Sequence, residues 1–317
     1  MDSRSKVKIA GEEIHIDPLL LFQRLIIAGT QQDILQDALS YEPCGYAPSL
    51  FERRSVLLKA NKVALAKAIW AKASNVSDET MEGLSNGRCA YVLDGGALLH
   101  RVYWNVGETY NEICSKYVSY VKGKYGLAVV VFDGYRSGSN TKDSNHSRRR
   151  GNSSRTVSFT PDMKLQSEKV DFLSNEENKQ RFIDFFRSYL EKARCEVHHA
   201  KDDADLLIVT TAVEMAQTRD TVLVGDETDL IVLLLFHSSL DCPYKIFFRP
   251  EPKRGSPLRL MDIAQVCSQL GEQVCRNILF IHAILGCDTT SRLFGFGKTA
   301  SLTLLQKDTF SSTGSSF

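Results

Sequence analysis

The sequence predicts an α/β fold with a mostly parallel sheet flanked by helices, preceded by an N-terminal helical extension over residues 1–86. After Gly87, short runs of β-branched and apolar residues alternate with helical patterns, as they do in βαβ units. One of these patterns, Arg181–Arg194, is a clear amphipathic helix. The predicted strands are Cys89–Leu93, Leu127–Phe132, Cys195–His198 and Thr221–Val224.

The N-terminal extension contains helical patterns but no recognisable chemistry. An apolar face covers Leu19–Ile27, and a second helical run covers Ser55–Ala73. Between them, Tyr41–Pro48 contains two prolines and a glycine, which predicts a turn. We expect this extension to pack against the domain that follows or to contact a partner.

The second half of the chain continues the pattern after the fourth strand. Tyr244–Phe248 predicts an edge strand, and Met261–Leu270 and Asn277–Leu285 predict helices. We place the main domain at residues 87–305 and expect a disordered tail at 306–317.

Composition indicates a globular protein, with 43% hydrophobic and 24% charged residues in 317. No stretch approaches the roughly 18 apolar residues of a membrane span, and Met1–Ala10 has no apolar run of signal-peptide length. We therefore expect a soluble, intracellular protein. The eight cysteines form no C-x-x-C pair, which argues against structural zinc.

Acidic residues follow each predicted strand and one later helix. A single such acid is an ordinary turn or capping residue. In a parallel sheet, however, all the carboxyl ends open on one edge, so these acids should converge there. The acids are Asp94, Asp133, Asp202, Asp203, Asp205, Asp226, Glu227, Asp229 and Asp288.

Converging carboxylates repel one another and raise each other's pKa, and bound divalent cations relieve this repulsion. Hard oxygen ligands select Mg²⁺ or Mn²⁺. Two such ions about 4 Å apart are the usual device for hydrolysing a phosphodiester. The sequence therefore predicts a two-ion site at this edge of the sheet.

In order and spacing, these acids resemble the metal site of the flap-endonuclease branch of the structure-specific 5′ nucleases, which have a PIN-like fold. The resemblance spans about residues 88–302 and implies seven residues that are both metal ligands and catalytic. It rests on Phe132-Asp133-Gly134 and Leu285-Gly286-Cys287-Asp288 among other motifs. The implied residues are Asp94, Asp133, Asp203, Asp205, Glu227, Asp229 and Asp288.

Gly295-Phe296-Gly297-Lys298-Thr299-Ala300 is similar to the family's glycine-containing turn and helix, which grip a duplex phosphate. The resemblance implies that Gly295, Gly297 and Lys298 contact nucleic acid. Glu227 stands where eukaryotic members have Asp, and Asp226 could serve in its place. Asp203 and Asp205 stand where those members have Glu. More loosely, the sequence resembles uncharacterised proteins associated with animal transposable elements.

A basic segment begins directly after Asp133. Residues 136–155 contain six basic side chains and one acid, in a background of glycine, serine and asparagine. By itself the segment is typical of a solvated loop. In the family, a flexible arch rises here over the active site, so we predict an arch-like insertion at 135–170. Lys142, Arg148 and Arg149 are the predicted phosphate contacts.

The predicted function is therefore metal-dependent hydrolysis of nucleic acid, with DNA favoured over RNA and a nuclear location. The alternative is a catalytically degraded module of the same fold that binds nucleic acid or protein. Asp/Glu exchanges and the few residues after Gly297 favour this alternative, whereas retention of all seven acids favours the enzyme.

Other phosphate chemistries do not fit the sequence. A P-loop would need glycine where Arg292 stands, and a haloacid-dehalogenase phosphatase would need a second acid after Asp94-Gly95. The G-x-G-x-x-G of a dinucleotide-binding domain is absent after every predicted strand. Adjacent His198 and His199 face opposite sides of a strand, so at least one should be structural.

Overall fold

Short strands alternate with helices along most of the chain in the structure, which is a computed structural model. It describes residues 5–9, 12–28, 51–53, 56–57, 62–73, 76, 89–134, 155–238, 242–251, 259–291, 297–298 and 302. The chain divides into two units, a smaller one of residues 1–60 with 284–296 and a larger one of residues 61–283 with 297–317.

The strands of the described residues are β1 Ser5–Ile9, β2 Glu12–Ile16, β3 Phe51–Arg53, β4 Val56–Leu57, β5 Ala90–Asp94, β6 Val129–Phe132, β7 Glu196–His199, β8 Thr221–Val224, β9 Ile246–Arg249 and β10 Met261–Asp262. The helices are α1 Pro18–Ala28, α2 Lys62–Trp70, α3 Gly95–Leu99, α4 Tyr110–Tyr125, α5 Lys169–Ser174, α6 Glu176–Lys192, α7 Asp205–Met215, α8 Thr228–His237, α9 Ile263–Leu270 and α10 Glu272–Ile284. None of these helices is long and apolar enough to cross a membrane.

The larger unit is organised around one six-stranded sheet. Its strand order is β10-β9-β8-β5-β6-β7. Every neighbouring pair is parallel except β9 with β10, which is antiparallel. The prediction of an α/β fold with a mostly parallel sheet flanked by helices is therefore confirmed. β5 lies inside the sheet, with β8 on one side and β6 on the other.

The central strands are mostly apolar because helices cover both faces of the sheet. Every residue of β6 and of β8 is buried. On one face, Tyr91 and Leu93 share a core cluster with residues of α4 and α6. Because side chains alternate along a strand, Val92 points to the opposite face, where α7 contacts β5 and β8. This is the pattern of continuous apolar strands expected for a buried parallel sheet.

Capping fixes the ends of the two long helices on the first face. Thr109 and Glu112 form a capping box at the start of α4. The side chain of Asn175 accepts hydrogen bonds from the backbone N–H groups of Glu177 and Asn178 at the start of α6. The amphipathic pattern predicted for α6 is confirmed, since Phe182 and Phe186 are fully buried.

Residues from about 155 to 170 pack onto the core. The ring of Phe159 stacks on that of Tyr110, with 4.0 Å between the centroids, and Leu165 is buried. The flexible insertion predicted for residues 135–170 therefore does not extend through its last part, because these apolar side chains fill the aromatic core. Lys142, Arg148 and Arg149 lie outside the described residues, as does the predicted tail at 306–317.

The described part of the N-terminal region contains short strands that were not predicted. Helix α1 covers the expected apolar face, but β1 and β2 form an antiparallel pair before it. Alternation of Val7 and Ile9 with lysines is a period-two pattern, which favours a strand. The helix predicted from Ser55 begins only at Lys62, because Val56–Leu57 pairs with β3 instead.

Two predicted boundaries also differ in the second half. The strand predicted at Tyr244–Phe248 is β9, but it is not the sheet edge, since β10 pairs with its outer side. Met261–Asp262, expected to start a helix, forms that added strand, and α9 starts at Ile263 with Asp262 as its N-cap. Met261 is fully buried, and its pairing with β9 adds a sixth strand to the sheet.

Candidate metal centre

The predicted acids of the larger unit follow four neighbouring strands at their carboxyl ends. Asp94 ends β5, Asp133 follows β6, Asp205 begins α7 after β7, and Glu227 and Asp229 follow β8. These strands are adjacent and parallel in the order β8-β5-β6-β7. Their carboxyl ends therefore open on the same edge of the sheet, as the sequence predicts.

Asp94 is held by the start of α3. Its Oδ1 accepts a hydrogen bond of 3.1 Å from the backbone N–H of Ala97, which caps the helix. Burial raises the pKa of this carboxyl to about 6. The hydrogen bond from Ala97 acts in the opposite direction, while the negative charges of Asp133 and Glu227 raise the pKa further. Asp94 is therefore a carboxylate under repulsion, which a cation would relieve.

Asp133 connects the end of β6 to the start of α7. Its Oδ1 accepts a hydrogen bond of 2.9 Å from the backbone N–H of Ala204. The next residue, Gly134, donates from its backbone N–H to the carbonyl oxygen of Asp202 at 2.7 Å. These two bonds bring the segment that carries Asp203 and Asp205 to the end of β6.

A second group of carboxylates lies beside the first. The side chains of Asp205, Glu227 and Asp229 each offer an oxygen, and these oxygens all lie within 4.8 Å of one another. Opposite ligands of an octahedral Mg²⁺ with bonds of about 2.1 Å are about 4.2 Å apart. The spacing and the all-oxygen donor set therefore fit a hard divalent cation. Glu227 joins the two groups because its charge also acts on Asp94.

Three glycines lie beside these carboxylates, and they differ in what an added Cβ would meet. A Cβ on Gly96 would lie 3.2 Å from Asp94 Oδ1 and 3.6 Å from Asp133 Oδ2, so Gly96 leaves room beside both carboxylates. A Cβ on Gly95 would instead meet the ring of Phe132 at 2.3 Å. A Cβ on Gly134 would meet backbone oxygens at 2.4 Å. The last two glycines therefore serve packing rather than metal access.

Asp229 contacts two side chains, Lys62 and His282, that were not predicted from the sequence. Its Oδ2 accepts a hydrogen bond of 2.7 Å from Lys62 Nζ, and its Oδ1 lies 3.0 Å from His282 Nε2. Burial acts to raise the pKa of Asp229, but the contacts with His282 and Lys62 outweigh it and hold the pKa well below its usual range. Neither partner is near Asp229 in sequence, so no local pattern could have identified it.

Asp226 and Glu227, the two alternatives left by the sequence, have different neighbours. Asp226 forms an ion pair with Arg101, and its Oδ1 accepts a hydrogen bond of 3.1 Å from the backbone N–H of Glu251. Glu227 instead lies with Asp205 and Asp229. The geometry therefore favours Glu227 as the member of the carboxylate group.

The remaining predicted residues are less closely defined. Asp203 is exposed just before α7, with its Oδ1 3.5 Å from the backbone nitrogen of Asp205. Asp288 belongs to the smaller unit, and its role stays a prediction. Gly297 is exposed and Lys298 is only 5% exposed, so the phosphate contact of Lys298 stays a prediction. Gly295 lies outside the described residues.

The adjacent histidines of β7 have different surroundings, and Nε2 of His199 has no hydrogen-bond partner among the described residues. His198 Nε2 lies 2.7 Å from Glu196 Oε1, in a contact confined to the strand. The ring of His199 packs on Phe132, with 5.5 Å between the centroids, and burial lowers its pKa. These contacts support the structural role expected for at least one of them.

No protein-family model and no curated protein matches the sequence. Among solved structures, the chain is similar to the catalytic core of Rad2 in complex with DNA substrate, with 14% identity and a TM-score of 0.48. That match covers 76% of this chain and 66% of that chain. The chain is also similar to the D15 protein of bacteriophage T5 co-crystallized with metal ions, with 13% identity and a TM-score of 0.44 over 69% of this chain and 75% of that chain.

A third similar structure is the Holliday junction-resolving enzyme GEN1 in complex with product DNA and Mg²⁺ ion, with 12% identity and a TM-score of 0.41. It is matched over 78% of this chain and 50% of that chain. The chain thus spans about two thirds of the Rad2 core and half of the GEN1 chain.

Proposed function

We propose that this chain is a divalent-metal-dependent nuclease of the flap-endonuclease, PIN-like type, which hydrolyses phosphodiester bonds in nucleic acid. The observation that carries the proposal is the convergence of acids from four neighbouring strands at one edge of a parallel sheet. Ordinary turn and capping acids would not also include a carboxyl whose pKa is raised to about 6 among other acids. The acids are Asp94, Asp133, Asp205, Glu227 and Asp229.

We propose that the site holds two Mg²⁺ or Mn²⁺ ions. The donors are carboxylate oxygens, which suit these hard cations. Asp94 and Asp133 would hold one ion, Asp205 and Asp229 the other, and Glu227 lies beside both pairs. Asp203 and Asp288 stay predicted ligands from the sequence. When bound, the ions would supply an activated water and a positive charge that stabilises the oxygen leaving the phosphorus.

The chain's own residues would orient these groups before substrate arrives. The backbone N–H of Ala97 fixes the rotamer of Asp94, and that of Ala204 fixes Asp133. Gly96 leaves space between the two carboxylates that a side chain would otherwise occupy. Preorganised groups of this kind reduce the rearrangement needed at the reacting centre.

We propose DNA as the substrate, bound in part by the basic segment that follows Asp133. Lys142, Arg148 and Arg149 of that segment would contact phosphates of the backbone. The motif around Gly297 supports the same class of ligand through its resemblance to a phosphate-gripping turn. The sequence resemblance also leads us to propose a nuclear location and an origin associated with transposable elements.

One observation favours the alternative, a degraded module that binds nucleic acid without cleaving it. The charge of Asp229 is already balanced by Lys62, so this acid needs no ion to remain buried. A site that had lost its ions could be stabilised by such internal pairs. Asp94 favours the enzyme, because the charges of Asp133 and Glu227 act against its ionisation and a bound cation would reverse that effect.

A cleavage assay separates the two functions. Fluorescently labelled flap and single-stranded DNA would be incubated with the full chain in Mg²⁺, in Mn²⁺ and in EDTA. We expect cleavage in the presence of either metal and none in EDTA. Retention of the DNA in a binding assay, without cleavage in Mn²⁺, would instead identify the binding module.

A further inference from the structure

Among the described residues, Lys62 lies at the acidic edge of the sheet, and the family resemblance does not supply it. Lys62 is the first residue of α2, which precedes the first strand of the sheet in the chain. Leu65 and Ile69 of α2 are fully buried, and α2 contacts α8, whose first turn carries Asp229. Two packed helices therefore position Lys62 against Asp229, so the contact is part of the core architecture rather than an adjustable surface pair.

His282 completes the clamp from a third helix, α10. Its side chain is nine-tenths buried, with Nε2 3.0 Å from Asp229 Oδ1. Despite this proximity, within the part of the chain that the structure describes, neither ring nitrogen of His282 has a partner in hydrogen-bond geometry, and neither does Asp229 Oδ1. Buried polar atoms without such partners are costly, so Asp229 Oδ1 keeps the capacity to accept a ligand. The Oδ1 side of Asp229 is thus poised for a ligand, while Oδ2 is held by Lys62.

The charge arrangement also argues for more than a structural pair. A partly buried ion pair is a weak source of stability, because desolvation offsets much of the Coulomb attraction. Lys62 keeps 21% of its side chain exposed, so the residue is only partly buried. It also lies beside the group formed by Asp205, Glu227 and Asp229. The positive charge of Lys62 would therefore lie near any phosphate that metal ions bind at this carboxylate group.

We propose that Lys62 is a phosphate-contacting residue of this centre, delivered by the N-terminal helix α2 and aimed by Asp229. The inference rests on the proposed nuclease function and adds a residue to it. Lys62 would donate to an oxygen of the phosphate while Asp229 keeps its side chain extended. The N-terminal region would then belong to the active site instead of serving only as a packing surface.

The test compares substitutions of Lys62 in the full chain. Lys62→Met removes the charge, Lys62→Gln removes it but keeps a hydrogen-bond donor for Asp229, and Lys62→Arg keeps the charge. Lys67→Met is the matched control, because Lys67 is exposed on the same helix. Three quantities would be measured, namely DNA affinity in Ca²⁺ as a function of salt, Mn²⁺ affinity by titration, and single-turnover cleavage in Mn²⁺.

We expect Lys62→Met and Lys62→Gln to flatten the salt dependence of DNA binding by roughly 0.7–0.9 log units per log unit of salt, the effect of leaving one phosphate without its cationic partner. Cleavage should fall by about tenfold or more, since these variants lack a group that stabilises charge at the reacting centre. Mn²⁺ should bind at least as tightly, because a competing cation has gone. Lys62→Arg and Lys67→Met should stay within about threefold of the unsubstituted chain.

The outcomes separate this inference from the proposed function. If the unsubstituted chain cleaves DNA, and Lys62→Gln leaves both the salt slope and the rate unchanged, then the lysine is structural and the nuclease proposal stands. Weaker Mn²⁺ binding with an unchanged salt slope would also overturn the inference, since Lys62 would then act only by holding Asp229. A chain that neither binds Mn²⁺ nor cleaves DNA overturns both. If Lys62→Met fails to fold, Lys62→Gln decides.

Discussion

Single carboxylates at this centre have separable structural and chemical roles. Asp94 and Asp133 each accept one backbone hydrogen bond, from Ala97 and from Ala204. An asparagine can accept the same bonds through its side-chain carbonyl oxygen, but it carries no charge. The helix cap at α3 and the connection to α7 should therefore survive the change, whereas binding of a cation should not.

For this reason, we expect Asp94→Asn and Asp133→Asn each to lower metal-dependent cleavage by at least about a hundredfold, as the loss of one strong electrostatic group does. DNA binding in Ca²⁺ should fall far less, because basic contacts elsewhere carry much of it. Circular dichroism and thermal melting check the fold, and a gel assay checks cleavage. If either variant cleaves as fast as the unsubstituted chain, that carboxylate is not at the reacting centre.

Single residues also mark the limit of what the sequence predicts. The acids could be found because strand ends can be recognised locally and parallel strands bring them to one edge. Lys62 and His282 could not, because their contacts with Asp229 depend on how three helices pack. The assignment of Glu227 over Asp226 likewise required Arg101, which binds Asp226 from another segment.

At the scale of elements, buried strands of the sheet and amphipathic helices were predictable, and the short strand pairs near the N-terminus were not. The run Thr221–Val224 matches β8 in both boundaries. A short β-branched and apolar run between polar residues is typical of a strand buried between helices. The pairs β1–β2 and β3–β4 were missed. Their residues are few, and their pairing gives a weaker signal than the helical patterns beside them.

The basic segment after Asp133 is the element whose role depends most on charge. Replacing Arg148, Arg149 and Arg150 together with alanine should weaken DNA binding and flatten its salt dependence by roughly 0.7–0.9 log units for each phosphate that is no longer neutralised. Stability should barely change, because these side chains offer no apolar surface to a core. Fluorescence anisotropy at several salt concentrations measures the slope.

A matched triple variant tests whether position or net charge matters. Lys122, Arg219 and Arg276 are exposed on the larger unit, and replacing them with alanine removes the same total charge. We expect this variant to keep a salt slope closer to that of the unsubstituted chain. Equal slopes in the two triple variants would mean that the segment after Asp133 is an ordinary solvated loop.

At the scale of the whole molecule, the buried acids should make stability depend on pH. In the folded chain the pKa of Asp94 is about 6, above its usual 3.8. Between about pH 4 and 6 the folded state therefore keeps a proton that the unfolded state releases, so stability falls as pH rises through this window. A shift of about two pKa units corresponds to a decrease in the free energy of unfolding of the order of 2–3 kcal/mol across this window.

Urea unfolding in EDTA at several pH values between 4 and 7 measures this fall. We expect Asp94→Asn to remove most of it, because the variant has no proton to lose. Asp229 has a lowered pKa, so the stability it contributes is present above pH 4 and is lost only at lower pH, outside this window. Parallel pH profiles for Asp94→Asn and the unsubstituted chain would show that Asp94 is not the source of the effect.

At neutral pH, divalent cations should stabilise the unsubstituted chain, because they offset the repulsion among these carboxylates. An ion that binds only the folded state stabilises it by mass action, by about 2.7 kcal/mol at a concentration a hundred times its dissociation constant. For a unit of this size, that raises the melting temperature by roughly 5–10 °C. We expect millimolar Mg²⁺ or Mn²⁺ to produce such a shift in a thermal melt. Asp229→Asn and Glu227→Gln should remove much of it.

Asp226→Asn provides the control for the metal-induced shift, because Asp226 lies in the same turn but is bound to Arg101 and to the backbone of Glu251. This variant can be less stable in EDTA, since it loses an ion pair, yet the increase on adding metal should remain. Loss of the shift in Asp226→Asn, with retention in Glu227→Gln, would exchange the roles of the two acids. No shift in the unsubstituted chain at millimolar metal would mean that the acids at this edge do not assemble a cation site.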